Sequence, residues 1–572
     1  MSAHPPKELQ EVDKAVLGEK SWTLRRNLLI AGLAGLLIAL IATPFSTHTW
    51  DRFAFAYLVA FCFALAITLG SLFFVMVTTV FRAGWCVVFR RIPENLAANM
   101  PTIGILSIPI LITVLLNNGS LYPWTGTNAE GQTAHYVGKK EANKNELALL
   151  PGDEYEKDDN KKSKADGEHP AKDIPFLRLA AAAPASTATP SEGHDDHHGE
   201  DKDHSEAHHD DEHQGDAHGK AEHADAHGAG HHGDSHHGDG HGDGHHADGH
   251  HGDHHAWTHT ADHWPDHNHA LPYYVYKKGS WYTPVYFVGR IIFYLIVWSA
   301  LGIFYWKRSV AQDRDGDVAH THKREWWAPL ALTTFALTLT LGIFDLLMSL
   351  DPVWYSTMFG VYFFAGAFTS AICTMIVTIM LGQRYGYFPS VTTEHLHDLA
   401  KLLFAFVFFW GYVGYSQFML IWYASFPETT YWFEIRGFTS VSANAVQDAP
   451  PSFGSGWSVI GWTLLFGHLL LPFAILLSRH VKRNRVVLFT MACWMLTLCY
   501  IDIFWLAMPA LMSPEIYFGL PEIGCVVFCI CIMLAEALRR ASSVSLTAHR
   551  DPRMHESLAL DTSAWAPLYL KH

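Results

Sequence analysis

Four carboxylates and one imidazole fall inside or at the rim of apolar runs: Asp345, Asp351, Asp502, Glu522 and His468. An ionisable side chain buried in hydrocarbon costs a few kcal/mol or more, so its presence there points to function. Asp345 and Asp351 belong to the stretch FDLLMSLDPVWYSTMFGVYFFAG, residues 344–366, the second carboxylate standing where the run breaks at Pro352. Arg290 begins a separate run, and Tyr415, Ser416 and Gln417 lie in the middle of another. Carboxylates and a histidine at graded depth suit a proton relay, or a pocket that takes a proton from a hydroxyl-bearing head group. Each also has a plainer reading. Asp345 can pair with Arg290, Asp502 and Glu522 can hydrogen-bond broken helix ends near Pro509 and Pro521, and His468 can be a satisfied core histidine.

These residues need helices that cross a membrane. Apolar runs lie at about 27–44, 54–80, 101–117, 284–306, 328–350, 356–381, 399–424, 457–478, 486–509 and 516–537, and nearly all reach the ~18–20 residues that span a bilayer as helix. The fold class expected is all-α and integral to the membrane, with ten transmembrane helices. No cleaved signal peptide is read at the N-terminus, where polar residues precede the first run. Lys and Arg collect in alternate connections, among them Arg82, Arg90 and Arg91, Lys307 and Arg308, Lys323 and Arg324, and Arg479 to Arg485. The positive-inside rule then predicts both termini cytoplasmic. With that orientation Asp345 lies about 7.5 Å inside the outer end of the fifth span at the helical rise. Asp502 is expected seven residues from the outer end of the ninth span, Glu522 about six into the tenth, and Asp351 at the external boundary.

The domain organisation expected is a cytoplasmic tail 1–26, spans one to three in 27–118, an external insertion 119–270, spans four to ten in 271–540 and a cytoplasmic tail 541–572. Residues 119–270 hold 31 Asp and Glu against 11 Lys and Arg, a net of −20 against −15 for the whole chain, which leaves about +5 elsewhere. The net acidity therefore says nothing of nucleic acid, and no nucleic-acid partner is expected. Residues 194–269 carry 25 of the 38 histidines, a low-complexity composition that cannot bury a core and is expected to be disordered. From His194 to His269, spaced imidazoles beside carboxylates suit adventitious binding of Zn, Ni or Cu. A solvated insertion without a specific role is the alternative.

All eight cysteines lie in or beside apolar spans, no CxxCH haem-attachment motif occurs, and Cys525, Cys529 and Cys531 do not match cluster-ligand spacing. His468 is the only mid-span histidine, so a bis-histidine haem is not expected, and no redox centre is assigned to the chain itself. Two segments near the cytoplasmic side look amphipathic. Residues 81–101 read as a helix lying in the interface before the third span. Residues 394–403 start the seventh span with His395, His397, Asp398 and Lys401; the two histidines point to different helix faces, so His397 and Asp398 read as a proton access point or a charged helix start before a metal site.

RAGWCVVFRRIPENL (82–96), YWKRSVAQDRDGD (305–317), residues 344–366 and HDLAKLLFAFVFFWGYVGYSQFMLIWYASFPETT (397–430) together resemble the second large membrane subunit, the ActF type, of bacterial alternative complex III. The likeness covers most of the chain outside 119–270. It implies a respiratory quinol:cytochrome c oxidoreductase, or one with another periplasmic acceptor, in the bacterial inner (cytoplasmic) membrane. It also implies a kinship to NrfD/polysulfide-reductase membrane subunits, whose helices form bundles without cofactors. The partners implied are a sister NrfD-like subunit, iron–sulfur and haem c subunits, and the lipid bilayer. Quinol or menaquinol is the implied ligand, with the sister subunit the better candidate for the working quinol site. Asp345, Asp351, His395 and His397 match the family's motifs; the histidine-rich insertion is a departure. Trp354, Tyr355 and Tyr362 border the expected pocket, the first two reading equally well as an interfacial belt. Two rival classes stand beside this one. A metal transporter is similar in having a histidine-rich loop, but the fourth span offers no His, Asp or Glu. A purely structural anchor of the complex requires no chemistry from the buried acids.

Overall fold

In the computed structural model, the described residues are 17–46, 49–116, 121–126, 281–352, 354–438, 456–511 and 516–560. The chain divides into two units, Met1–Leu150 with Trp257–His572, and Pro151–Ala256; every described residue lies in the first. The histidine-rich run falls outside the described residues, as does the metal capture expected of it.

Among the described residues, ten helices are long and apolar enough to cross a membrane: α1 (Ser21–Phe45), α2 (Trp50–Val80), α3 (Arg91–Leu115), α4 (Pro284–Asp315), α5 (Ala319–Leu350), α6 (Phe359–Arg384), α7 (Thr393–Ala424), α8 (Gly456–Leu477), α9 (Arg485–Leu511) and α10 (Leu520–Ala541). No strand occurs among the described residues. Successive helices alternate in direction. One end of the bundle, here the upper, therefore carries Asp351, Glu522 and the start of α2, and the lower end carries His395 and Asp551.

α2 is apolar all round and almost wholly buried, as a helix at the centre of a bundle must be. It packs against α3, α5, α6, α9 and α10. α3 and α5 flank α4 on one side, α7, α8 and α9 gather with α6 on the other, and α1 lies along α10. Backbones approach closely where a residue has no side chain. A Cβ on Gly70 of α2 would lie 2.2 Å from the carbonyl oxygen of Ala367 on α6, and one on Gly524 of α10 would lie 2.4 Å from that of Gly35 on α1. Lipid gives helices no hydrophobic reason to associate, so this close van der Waals packing of small residues does the work.

Two helices are interrupted where proline removes a donor from the ladder. α3 consists of Arg91–Ala97, Met100–Leu106 and Ile108–Leu115, the last two each with a proline in their first turn. In α8, residues Leu464–Leu470 form a π-helical turn immediately before Pro472; Pro472 has no N–H for the His468 carbonyl, and the widened turn accommodates this.

Two expectations need correction. Residues 81–101 do not form a helix lying in the interface: Cys86 to Asn99 are buried, and α3 starts at Arg91, ten residues before the apolar run. The charges that suggested an interfacial helix are compensated internally. Arg90 bonds Glu94 at 3.0 Å and Asp551 at 2.6 Å, and Arg91 bonds Glu94 at 2.9 Å and also Asp313. Likewise, the expectation of a disordered insertion from residue 119 does not hold for residues 121–126. Tyr122 and Trp124 are buried against the top of α5, donating to the Leu346 and Ser349 carbonyls at 2.9 and 3.0 Å. Large rings with one polar tip suit that position, covering apolar surface while satisfying the carbonyls at a helix end.

Candidate functional site

The acids expected to form one outer layer separate into three environments. Asp345 is fully buried near the top of α5, and Arg290 of α4 grips it with two hydrogen bonds of 2.8 and 2.9 Å. Tyr294, one turn further along α4, donates to the same carboxylate at 3.3 Å, and Arg290 also lies over the Trp281 ring, 4.1 Å from its centroid. This is the paired arrangement that the α4 and α5 sequences allow. Ser349 bonds the Asp345 carbonyl oxygen, further fixing the helix end.

Glu522 is buried in the first turn of α10, two residues after its start rather than six. Its carboxylate accepts from Arg52 of α2 at 2.7 and 2.8 Å and from the Gly519 backbone N–H at 2.8 Å. It therefore caps a broken helix end, the plainer of its two expected roles, and neutralises an arginine that the sequence had not singled out. The negative carboxylate also suits the positive end of the helix dipole.

Asp502 differs from both. It lies nine residues below the top of α9, about 14 Å at the helical rise, and is buried between α6, α7 and α9. Its Oδ1 accepts from the Tyr362 hydroxyl at 2.6 Å and its Oδ2 from Trp410 Nε1 at 3.1 Å. Both donors are neutral, and none of the ion pairs among the described residues involves Asp502. The absence of a side chain at Gly366 leaves room beside it, where a Cβ would stand 3.7 Å from Oδ2.

His468 is brought to the same cluster by the π-turn of α8. It is fully buried, its ring centroid 4.0 Å from that of Trp410. Its Nε2 lies 3.7 Å from the Cys499 thiol, one turn before Asp502 on α9, and its Nδ1 has no hydrogen-bond partner among the described residues. Trp410 thus stands between the carboxylate and the imidazole, bonded to one and in ring contact with the other. A carboxyl group, a phenol, an imidazole and a thiol within one buried cluster can hold and exchange protons. Tyr362 stood in the sequence as a pocket-bordering aromatic, whereas Trp410 and Cys499 carried no signal beyond their apolar surroundings.

Asp351 lies at the top of α5, donated to by the Trp354 backbone N–H at 3.3 Å. It lines a cavity of about 10 Å³ with Trp354, Trp432 and Arg436, room for about one water. Trp354 is buried and stacked on Trp432, centroids 4.6 Å apart, whereas Tyr355 is exposed; only Tyr355 keeps the interfacial-belt reading. Arg436, which sequence reasoning also missed, is buried with its guanidinium 3.4 Å from the Trp432 ring centroid. It donates to the Trp432, Trp505 and Leu506 carbonyls. A larger groove of about 390 Å³ lies between α3 and α4, lined by Gly104, Ser107, Ile292, Leu295 and Ser299 among others. Its size suits a small ligand, but no carboxylate or histidine lines it.

The lower-end candidates each have separate partners. His395 Nδ1 accepts from the Thr392 backbone N–H at 3.0 Å, so Nε2 carries the ring proton and donates to the Ser557 carbonyl at 3.1 Å. Asp398 pairs with Lys401, and His397 lies 3.9 Å from Glu394, which Arg483 engages. Among the described residues, no group of three or more His, Cys, Asp or Glu side chains is arranged to hold a metal ion.

No family model matches the chain, and no curated protein matches it.

Proposed function

We propose that this chain is a membrane subunit of a bacterial quinol:cytochrome c oxidoreductase, or one using another periplasmic acceptor, and that it handles protons and anchors redox partners. In this reading it sits in the inner membrane with both termini cytoplasmic. It lies beside a sister NrfD-like subunit and beneath iron–sulfur and haem c subunits that carry the electrons. The likeness of its long motifs to alternative complex III supports the setting, and the ten candidate spans fit it.

One observation carries the proton assignment: Asp502 is buried deep in the bundle against two neutral donors, Tyr362 and Trp410, with His468 on the far side of the indole. A carboxylate held by arginine keeps its charge; one held by neutral donors can take up and release a proton. Asp502 is the exchanging group, Tyr362 and Trp410 position it, and His468 is the next proton acceptor. Quinol or menaquinol oxidation itself is assigned to the sister subunit, because the cavity beside Asp351 holds about one water and the larger groove lacks a proton acceptor.

The test is Asp502→Asn in the purified assembly, following quinol turnover and proton release together. The expected loss of proton release is on the order of 100-fold, the lower end of what a positioned acid or base contributes, with the subunits still assembled. Unchanged turnover and release would sink the reading. For Asp345 and Glu522 the ion pairs with Arg290 and Arg52 favour the structural-anchor role instead.

A further inference from the structure

α4 carries a polar stripe that the proton assignment leaves unused. Tyr305, Ser309 and Gln312 recur at steps of four and three residues, the spacing that stacks side chains on one helix face, and all three are buried. Tyr294, Trp298 and Gly302 continue the stripe upward. The upper members are satisfied, Tyr294 by Asp345 and Trp298 by a 2.9 Å hydrogen bond to Thr338 Oγ1.

The lower members are not. The Tyr305 hydroxyl, the Ser309 hydroxyl and the Gln312 amide nitrogen have no hydrogen-bond partner among the described residues, and neither do Nε of Arg324 and Nε of Arg91, while Nη1 of Arg324 faces Glu94 Oε1 at 3.6 Å. The Gln312 amide orientation is fixed chemically: its oxygen must face Arg324 Nη2, 3.1 Å away, because a guanidinium only donates. Thr321 donates to the same oxygen at 2.9 Å. The stripe and the arginines are neighbours, since its lowest member, Gln312, is the residue that Arg324 bonds.

Buried polar groups in proteins are nearly always bonded to protein or to ordered water, and one isolated orphan can be an accident of geometry. Five such groups on one helix face and the arginines at its foot share a single remedy. We infer that α4 and α5 enclose a file of ordered water, rooted in the Arg91, Glu94, Arg324 and Asp551 network and ending beside Tyr305. Water can accept from Gln312 and both arginines and exchange hydrogen bonds with the two hydroxyls, as each orphan requires. The file ends blind. A Cβ on Gly302 would lie 2.3 Å from the Ala97 carbonyl oxygen, so α3 and α4 close directly above Tyr305, and the Trp298 ring follows. A chain of water and hydroxyls joined to that buried charge network carries hydrogen bonding from the foot of α4 into the membrane interior. This hydration site stands on the geometry of α4 and α5 and does not depend on the quinol reading.

Radiolytic footprinting of the full-length protein in ¹⁸O-water tests it, because hydroxyl radicals born from bound water oxidise the side chain they touch. Tyr305 should take up label on the order of tenfold faster than Phe335 and Tyr122, which are comparably buried. Filling the file with Ser309→Leu should return Tyr305 to the rate of Phe335, while Tyr122 stays protected and reports an intact fold. Labelling of wild-type Tyr305 no faster than Phe335 overturns the inference, as does undiminished labelling in a folded Ser309→Leu protein. Neither result bears on Asp502, so this inference and the proposed function fail separately.

Discussion

The α2–α10 and α4–α5 contacts bury a carboxylate against an arginine, whereas the α6–α9 cluster buries one against a phenol and an indole. Glu522 with Arg52 and Asp345 with Arg290 are bidentate pairs; Asp502 has only Tyr362 and Trp410. A guanidinium stays protonated at any physiological pH and favours the charged form of its partner, so the pair behaves as a packing element. Neutral donors stabilise the carboxylate without locking it. Burial alone therefore does not identify a working acid in a membrane bundle; what lies opposite does.

The largest effect that could break this contrast is at Glu522. Glu522→Ala leaves Arg52 buried and unpaired, which should cost about 3–5 kcal/mol of stability, measured by denaturant unfolding in mild detergent. Replacing both partners with apolar residues of similar volume should recover most of that loss. Arg290→Ala should cost less, because the Arg290 side chain keeps some solvent contact. If Glu522→Ala costs under about 1 kcal/mol, the pair is not structural and the contrast with Asp502 fails.

Much of this framework is legible in the chain, and its gaps have physical causes. Spans are set by length and apolarity, which is why all ten apolar runs correspond to helices. The Arg290 to Asp345 pair could be anticipated because the two residues open and close consecutive spans. Glu522 and Arg52 are 470 positions apart, and no local pattern reports so distant a partner. The start of α3 is hidden in the sequence for a related reason: Arg90 and Arg91 look surface-bound until Asp313 and Asp551, from distant parts of the chain, neutralise them. Trp410 is one of many aromatic residues in α7, and only the fold turns its N–H toward Asp502.

At the lower end, Asp551 adds a pH dependence. Burial pushes its carboxyl upward, but Arg90 and Arg324 outweigh this and hold it well below the usual carboxylate range. A depressed folded-state value stabilises fully above the unfolded value of about 3.9, and the contribution fades as pH falls from there toward the folded value. Asp551→Asn should cost about 2–3 kcal/mol at pH 7, less than an isolated buried pair because Glu94 still faces both arginines. The gap between variant and wild type should stay constant down to about pH 5 and close below about pH 4. A gap that is unchanged at pH 3 would show that the carboxylate charge is not what holds residues 542–560 against the bundle.

Asp502→Asn sharpens the contrast from the other side. An amide can still accept from Tyr362, but it presents one N–H₂ group where Trp410 needs an acceptor, so about one hydrogen bond is lost, worth ~1 kcal/mol. Stability should therefore change far less than in Glu522→Ala while proton release collapses. If the two substitutions destabilise equally, Asp502 is another packing element and the neutral-donor argument is wrong.

The smallest effect expected is at Asp398, whose ion pair with Lys401 lies on the exposed face of α7, the lysine side chain 55% accessible. Water screens such a pair and side-chain entropy opposes it, so Asp398→Ala should change stability by less than about 0.5 kcal/mol. It should leave proton release at the wild-type rate as well, since neither Asp398 nor Lys401 bonds to the Asp502 cluster or to the α4 stripe. A clear loss of proton release in Asp398→Ala, with stability intact, would mean that protons reach the bundle at the foot of α7.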